Sequence, residues 1–269
     1  MSQRPSESAL AVSRVGDAGA PRHLVMLHGI YGRGRNWLGI ARAVVERRSD
    51  YACWLVDLPH HGDSGPGAHG DTVMGLAEDV EDWLVSQALT PRAVLGHSYG
   101  GKVALALAER LRSSPLQIWV VDSTPETKAA SGSAWEMIGV VRGLGGRFAS
   151  RDDVAEALVA AGYERAVGQW MTTNLERDGD GFVWRLDFDA MERLLADFFA
   201  TDLWGVVERL APAHELHVLK ASESSVISPA ALARLEAAGP RVHVHHREGG
   251  HWIHAERPES VIALLVEHL

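Results

Sequence analysis

Six short apolar runs recur along the chain, and most of them are separated by amphipathic stretches with helical spacing. The runs are HLVMLH (23–28), ACWLVD (52–57), RAVLG (92–96), QIWVVD (117–122), ELHVLK (215–220) and RVHVHH (241–246). Nearly continuous hydrophobicity is typical of strands buried on both faces, and helical stretches between such strands are typical of crossover connections. The sequence therefore predicts an α/β fold with a mostly parallel central sheet flanked by helices.

One long interval interrupts this alternation. Residues 125–210 lie between the fourth and fifth apolar runs and are mostly helical in pattern and rich in aromatic residues, as in FVWRLDFDAMERLL. Roughly eighty residues are too many for a simple crossover, so we predict an inserted helical lid over the carboxyl ends of the strands. The predicted core then comprises residues 1–124 and 211–269, and the lid comprises residues 125–210.

Composition and charge limit the classes of partner. The 269 residues carry a net charge of −9 with no basic cluster, which argues against a nucleic-acid partner and against stable association with an anionic membrane. Cys53 is the single cysteine, which excludes an intrachain disulfide and a cysteine-based zinc site. The N-terminus shows no apolar signal segment, so we predict a cytoplasmic monomer or homodimer that acts on a small molecule.

The stretch VLGHSYGGKVALALA indicates a nucleophile. Gly96, Ser98 and Gly100 match G-x-S-x-G, with an apolar run before the motif and a helical pattern after it. This context is that of a nucleophile elbow, a sharp strand-to-helix turn that presents the serine hydroxyl and needs small neighbours. We therefore predict Ser98 as the nucleophile, at a helix N-terminus that favours nearby negative charge.

A serine nucleophile requires a base and donors for the developing oxyanion. His251 follows the last apolar run in GGHWIHAERPE, and the two preceding glycines let that loop bring its imidazole over Ser98. The backbone N–H of Tyr99 adjoins the nucleophile, and the N–H of Ile30 follows the first apolar run in LHGIYGRGRNW. We predict His251 as the base and these two N–H groups as the oxyanion hole.

These motifs together resemble the α/β-hydrolase superfamily. Within it, HGIYGRGRNW, VDLPHHGDS, GHSYGGKVALALA, VVDSTP and GGHWIHAERPE most resemble the small esterases of the YbfF and abhydrolase domain-containing protein eleven group. The resemblance extends from about His23 to the C-terminus. It implies an α/β-hydrolase fold with an acyl-enzyme mechanism.

The resemblance leaves the identity of the acid open. Ser225 in KASESSVISP stands where the superfamily usually has its aspartate, and a serine cannot stabilise an imidazolium as a carboxylate does. Glu223 lies two residues away, whereas Asp122 ends the apolar run that follows the nucleophile helix. The esterase group that the chain resembles takes its acid from that strand end. We predict Asp122 as the acid, with Glu223 as the alternative.

Aromatic residues on the oxyanion loop and in the inserted segment are candidates for the substrate pocket. They are Tyr31, Trp135, Trp170 and Trp184. The 14 histidines invite a metal site, and His243 and His245 in HVHH would share a strand face. No H-x-H-x-D-H or H-E-x-x-H pattern occurs, so we predict no catalytic metal and no cofactor.

The predicted activity is that of a serine hydrolase that cleaves carboxylic esters or thioesters, acyl-CoA among them, through an acyl-enzyme on Ser98. Two alternatives stay open. A C–C bond hydrolase or lyase would use the same residues with a more polar pocket. A small-ligand receptor of the same fold would retain the residues without catalysis.

Overall fold

The computed structural model describes residues 10–112 and 115–269. The strands in these ranges are β1 (Val12–Val15), β2 (Arg22–Leu27), β3 (Tyr51–Val56), β4 (Ala93–His97), β5 (Leu116–Val121), β6 (Arg147–Phe148), β7 (Leu175–Asp178), β8 (Gly181–Trp184), β9 (His214–Ala221) and β10 (Val242–Arg247). Seven of them form a central sheet in the order β1-β3-β2-β4-β5-β9-β10. All six apolar runs are strands of this sheet.

The central sheet is parallel except at one edge. Strands β2, β3, β4, β5, β9 and β10 pair in parallel, and β1 pairs antiparallel with β3. The predicted fold class, a mostly parallel sheet flanked by helices, is confirmed. Strand β1 was not predicted, because VSRV is short and its two valines are separated by two polar residues, which is not the alternation of a half-buried strand.

Helices cover both faces of the sheet. The α-helices of the described residues, of which α4 to α8 lie in the inserted segment, are α1 (Leu38–Arg47), α2 (Val73–Ser86), α3 (Tyr99–Arg110), α4 (Ser133–Gly143), α5 (Arg151–Ala160), α6 (Arg165–Met171), α7 (Phe188–Ala200), α8 (Trp204–Glu208), α9 (Pro229–Glu236), α10 (Ile253–Glu256) and α11 (Pro258–His268). Because side chains alternate along a strand, Val25 joins the apolar core against α2 and α3, and Leu24 joins the core against α1 and α11. No helix of the described ranges is long and apolar enough to cross a membrane.

The inserted segment, residues 125–210, contains helices α4 to α8 and a separate three-stranded antiparallel sheet in the order β6-β8-β7. The segment is thus mostly helical, as predicted, but it also contains this small sheet, which the sequence did not predict. The stretch GFVW forms β8. The sequence did not predict this strand, because a run of four residues is too short for periodicity to distinguish a strand from a helix. The bounds 125–210 and the function of the segment as a lid stay predictions.

Candidate active site

Ser98 occupies a strained turn between β4 and α3. Its φ of 50° and ψ of −116° depart from the usual regions for a non-glycine residue, and its N–H donates to the Val121 carbonyl of β5 at 3.0 Å. Close packing explains the flanking glycines. A Cβ at Gly96 would lie 1.9 Å from the carbonyl oxygen of Gly100, and a Cβ at Gly100 would lie 2.4 Å from that of His28. The backbone thus makes the sharp strand-to-helix turn that the motif predicts, and the role of Ser98 as a nucleophile stays a prediction.

Asp122 follows β5 directly and is completely buried. Its Oδ2 accepts a hydrogen bond from His251 Nδ1 at 2.7 Å, and its Oδ1 accepts one from the Ala221 N–H at 3.2 Å. Its φ of 45° turns the chain at the carboxyl edge of the sheet. Both carboxylate oxygens are therefore hydrogen-bonded, and the contact with His251 holds that imidazole with its proton on Nδ1.

Glu223 and Ser225 lie on the loop that follows β9. Both are exposed, and both line the cavity that also contains Ser98 and His251. The Glu223 backbone N–H donates to the Gly249 carbonyl at 3.0 Å. The loop is thus near the histidine, but the hydrogen bond of the imidazole Nδ1 goes to Asp122.

Two buried histidines support the loop that carries Ile30. The Tyr31 N–H donates to Nε2 of His61 at 3.2 Å, and His28 Nδ1 donates to the Gly29 carbonyl at 2.7 Å. Burial lowers the pKa of His28 to about 4 and that of His61 to about 3, so both are neutral at pH 7. Ile30 lines the same cavity as Ser98. The loop is positioned by uncharged hydrogen-bonding groups.

His97, the residue before Ser98, holds the loop of His251. Its Nε2 donates to the His251 carbonyl at 2.8 Å, and the two rings pack with centroids 4.7 Å apart. Burial holds the pKa of His97 well below its ordinary value. This supporting role was not predicted from the sequence, which has no motif for a contact between the elbow and a loop 154 positions away.

Two cavities meet at His251. The first has a volume of about 470 Å³ and contains Ser98, Ile30 and Tyr99. Three apolar side chains of α7 form part of its wall, namely Leu195, Phe198 and Phe199. The second cavity has a volume of about 320 Å³ and shares Ser133, Ala134 and His251 with the first. Both volumes are of the size that holds small molecules.

The predicted pocket aromatics separate into two groups. Tyr31 and Trp170 line the second cavity, where the Tyr31 hydroxyl donates to the Ala134 carbonyl at 2.6 Å. The structure corrects the other two positions, because Trp135 and Trp184 are not among the described residues that line either cavity. Trp135 packs edge-on against Phe199 at 6.0 Å, and Trp184 packs against aromatic neighbours of the small sheet and α7.

Lys102 joins helix α3 to the inserted segment. Its side chain is fully buried, and Nζ donates to the carbonyls of Glu126, Phe198 and Thr201 at 2.9, 2.6 and 2.7 Å. Two of these carbonyls belong to the C-terminal end of α7, where a helix leaves carbonyl oxygens unpaired and carries partial negative charge. The lysine was not among the predicted site residues, although it follows GHSYGG directly.

Groups able to hold a metal occur away from Ser98. Among residues 10–112 and 115–269, three close potential ligands, Glu215, His217 and His243, lie on β9 and β10. Around Ser98 the described side chains form a serine, histidine and aspartate arrangement with a helix N-terminus. Such an arrangement can transfer an acyl group by nucleophilic attack.

Known proteins share this arrangement of elements. Residues 24–264 match the model of the alpha/beta hydrolase family. The sn-1-specific diacylglycerol lipase ABHD11 of Mus musculus is 25% identical over 94% of this chain and 82% of its own length. Esterase YbfF of Escherichia coli is 26% identical over 91% of this chain and 92% of its own length. The solved structure of a marine microorganism esterase has a TM-score of 0.84 at 24% identity, and the match covers 97% of this chain and 100% of that one.

These relatives include the esterase group that the sequence motifs resemble, so the predicted resemblance is confirmed. The family model spans most of the chain and both halves of the central sheet. The two relatives described above are named a lipase and an esterase. The chain belongs to the alpha/beta hydrolase family, and it is a hydrolase.

Proposed function

We propose that the protein is a serine hydrolase that cleaves carboxylic esters or thioesters of small molecules. Ser98 is the nucleophile, His251 the general base and Asp122 the acid. The observation that carries this proposal is the 2.7 Å hydrogen bond between Asp122 and His251, because it orients the imidazole in the cavity that contains Ser98. Two relatives, one named a lipase and one named an esterase, also support ester hydrolysis.

Acylation begins with a proton transfer. With its own proton on Nδ1, His251 uses Nε2 to accept the hydroxyl proton of Ser98 as the oxygen attacks the acyl carbonyl. The imidazolium formed is stabilised by the buried Asp122 carboxylate, which is held by two hydrogen bonds. His251 then protonates the departing alcohol or thiol, and an acyl-enzyme on Ser98 remains.

The developing oxyanion accepts hydrogen bonds from the backbone N–H groups of Ile30 and Tyr99. Both residues line the cavity with Ser98, and Tyr99 begins the 12-residue helix α3, whose first N–H groups have no partner within the helix. Water activated by His251 then attacks the acyl-enzyme, and the acid product leaves. Each step uses residues of this chain alone.

The two cavities that meet at His251 suggest that two parts of the substrate bind in different places. The first contains the nucleophile and the α7 side chains, and the second is lined by Tyr31, Trp170 and Trp252. An acyl group and a leaving group extending from one carbonyl in different directions would each occupy one of them. Because one of the relatives is named a diacylglycerol lipase, diacylglycerols belong among the candidate substrates.

Covalent labelling and a substrate series test this function. We expect a fluorophosphonate to modify Ser98, and we expect turnover within a series of p-nitrophenyl esters, acyl-CoA thioesters and diacylglycerols of increasing chain length. Ser98→Ala should abolish labelling and turnover. Ser131→Ala is the matched control, since Ser131 lines the same cavity but is exposed and lies outside the elbow.

Other results would overturn the proposal in identifiable ways. Labelling at Ser98 without turnover of any ester or thioester would favour a C–C bond hydrolase or lyase. Neither labelling nor turnover, together with saturable binding of a small molecule, would favour a receptor of this fold. Equal loss in Ser98→Ala and Ser131→Ala would place the reaction elsewhere in the cavity.

A further inference from the structure

Four histidines and a glutamate gather far from Ser98 at the edge of the central sheet. The group, here called the histidine cluster, consists of Glu215, His217, His243, His245 and His268. His217 and His243 have ring centroids 4.8 Å apart, and His217 and His245 stack at 5.3 Å with an interplanar angle of 2°. The catalytic mechanism uses none of them.

Strand register explains why these side chains meet. Strands β9 and β10 pair in parallel with His217 opposite His243. Positions two apart on a strand share a face, so Glu215 lies beside His217, and His245 lies beside His243. His268 completes the group from the last turn of α11. The fold thus concentrates ligand side chains on one face of the last two strands.

His217 occupies the centre of the cluster with one nitrogen unpaired. Only 4% of its side chain is exposed, and its ring stacks on Trp119 at 4.0 Å. Its Nδ1 lies 3.1 Å from His245 Nε2, whereas its buried Nε2 has no hydrogen-bond partner among residues 10–112 and 115–269. A buried nitrogen without a partner is costly, and a neutral histidine with its proton on Nδ1 offers an Nε2 lone pair to a cation.

The atoms around that nitrogen have the spacing of a metal site. The distance from His217 Nε2 to Glu215 Oε2 is 3.8 Å, too long for a hydrogen bond. Zinc bonds of 2.0–2.2 Å in tetrahedral geometry place ligand atoms roughly 3.4 Å apart. One atom each of Glu215, His217 and His243 lies within 4.8 Å of the others, and the exposed Glu215 can close the remaining gap.

We propose that Glu215, His217 and His243 bind a divalent transition-metal ion, with Zn²⁺ as the representative ion. Two imidazoles and one carboxylate are a ligand set that zinc accepts, with a fourth position open to water or a neighbouring side chain. His245 contacts Nδ1 of His217 and so acts as the orienting partner that metal-bound histidines usually have.

The site is structural in purpose. His217 precedes Ala221, the residue that contacts Asp122, by four positions along β9, which corresponds to about 13 Å along an extended strand. The ion therefore does not reach the reacting atoms. It links the edge strand β10 to β9, and β10 leads into the loop of His251.

Zinc binding by the untagged protein tests the site. We expect equilibrium dialysis with ZnCl₂ to give one ion per chain, Co²⁺ to give the visible absorption of a tetrahedral complex, and Zn²⁺ at a hundredfold over its Kd to raise Tm by about 5 °C. His243→Ala and Glu215→Gln should each weaken binding at least about tenfold. Both change residues that are at least partly exposed, so the fold should persist.

His246→Ala is the matched control. It removes a histidine from the same strand, but His246 points to the opposite face and contacts Glu236. It should bind zinc as the wild type does. Absence of saturable binding to the wild type, or undiminished binding to both His243→Ala and Glu215→Gln, would overturn the proposal, as would equal loss in the control.

Discussion

Two places at the carboxyl edge of the sheet can supply an acid to His251, and they differ in almost every physical respect. Asp122 is completely buried at the end of β5, with both oxygens hydrogen-bonded. Glu223 is exposed on the loop after β9. A carboxylate that must orient an imidazole benefits from being held in advance, since a fixed group needs no reorganisation during the reaction. Position alone therefore favours the strand end.

The comparison extends to the surroundings of each place. The other supports of the site are also buried and neutral: His97 holds the His251 loop and His61 holds the loop of Ile30, each by a hydrogen bond. The loop after β9 instead presents Glu223 and Ser225 to the cavity and to solvent. The end of β5 is therefore suited to orienting the His251 imidazole, and the loop after β9 is suited to contact with a molecule bound in the cavity.

The largest expected effect comes from removing the Asp122 carboxylate, and removal of the Glu223 carboxylate provides the comparison. Asp122→Asn should lower kcat by about 10⁴-fold, because the amide stabilises the wrong tautomer of the histidine. Glu223→Gln should leave kcat close to that of the wild type. Steady-state kinetics on the best ester measure both, and circular dichroism checks folding. Full activity in Asp122→Asn with loss in Glu223→Gln would reverse the assignment.

A smaller effect is expected when the acid is moved to the loop. In Asp122→Asn/Ser225→Asp the new carboxylate occupies the place that the superfamily usually uses. We expect it to recover about 10²-fold of the lost kcat, because a misplacement of about 1 Å still costs about 10²-fold. Ser224→Asp in the same background is the control. Recovery to the same extent at both positions would mean that general negative charge, not placement, is responsible.

The smallest effect concerns stability in acid. The pKa of His61 is about 3 in the folded protein and about 6.5 when exposed, so below pH 6.5 the unfolded chain binds a proton that the folded chain does not. Stability therefore falls as pH decreases. Between pH 7 and pH 5 the wild type should lose about 2 kcal/mol more than His61→Gln, measured by urea unfolding.

The exposed His246 provides the control for that measurement. His246→Gln should keep the pH dependence of the wild type, because its side chain is in contact with solvent and Glu236. A wild-type curve parallel to that of His61→Gln would contradict the assignment of His61 as a buried neutral support. It would also weaken the contrast between the two regions.

Much of the fold follows from local pattern. The apolar runs predict all six parallel strands to within about one residue at each end, since doubly buried strands leave a strong signal. The elbow follows from G-x-S-x-G between a strand and a helix. Strand β1 and the small sheet of the inserted segment were missed, because VSRV and GFVW are four residues each and carry little periodicity.

The sequence predicted some residues of the candidate site and missed others. Ser98, Asp122 and His251 follow from motifs and resemblance, but Trp135 and Trp184 pack within the inserted segment and not against the cavities. His97 supports the His251 loop and Lys102 supports the end of α7 through contacts between residues distant in sequence. A single sequence carries no pattern that predicts such contacts. Tertiary packing decides such contacts, and it is known only once the elements are placed.

The three hydrogen bonds of Lys102 have a consequence for how substrates are selected. Two of them fasten the end of α7 to helix α3, so the wall formed by Leu195, Phe198 and Phe199 has little freedom to move away from a bulky acyl group of the proposed substrates. The size of the side chains in this wall, and not movement of α7, would then limit the length of the acyl chain that the cavity holds. Engineering a longer-chain enzyme from this scaffold would therefore begin by trimming the two phenylalanines while leaving Lys102 untouched.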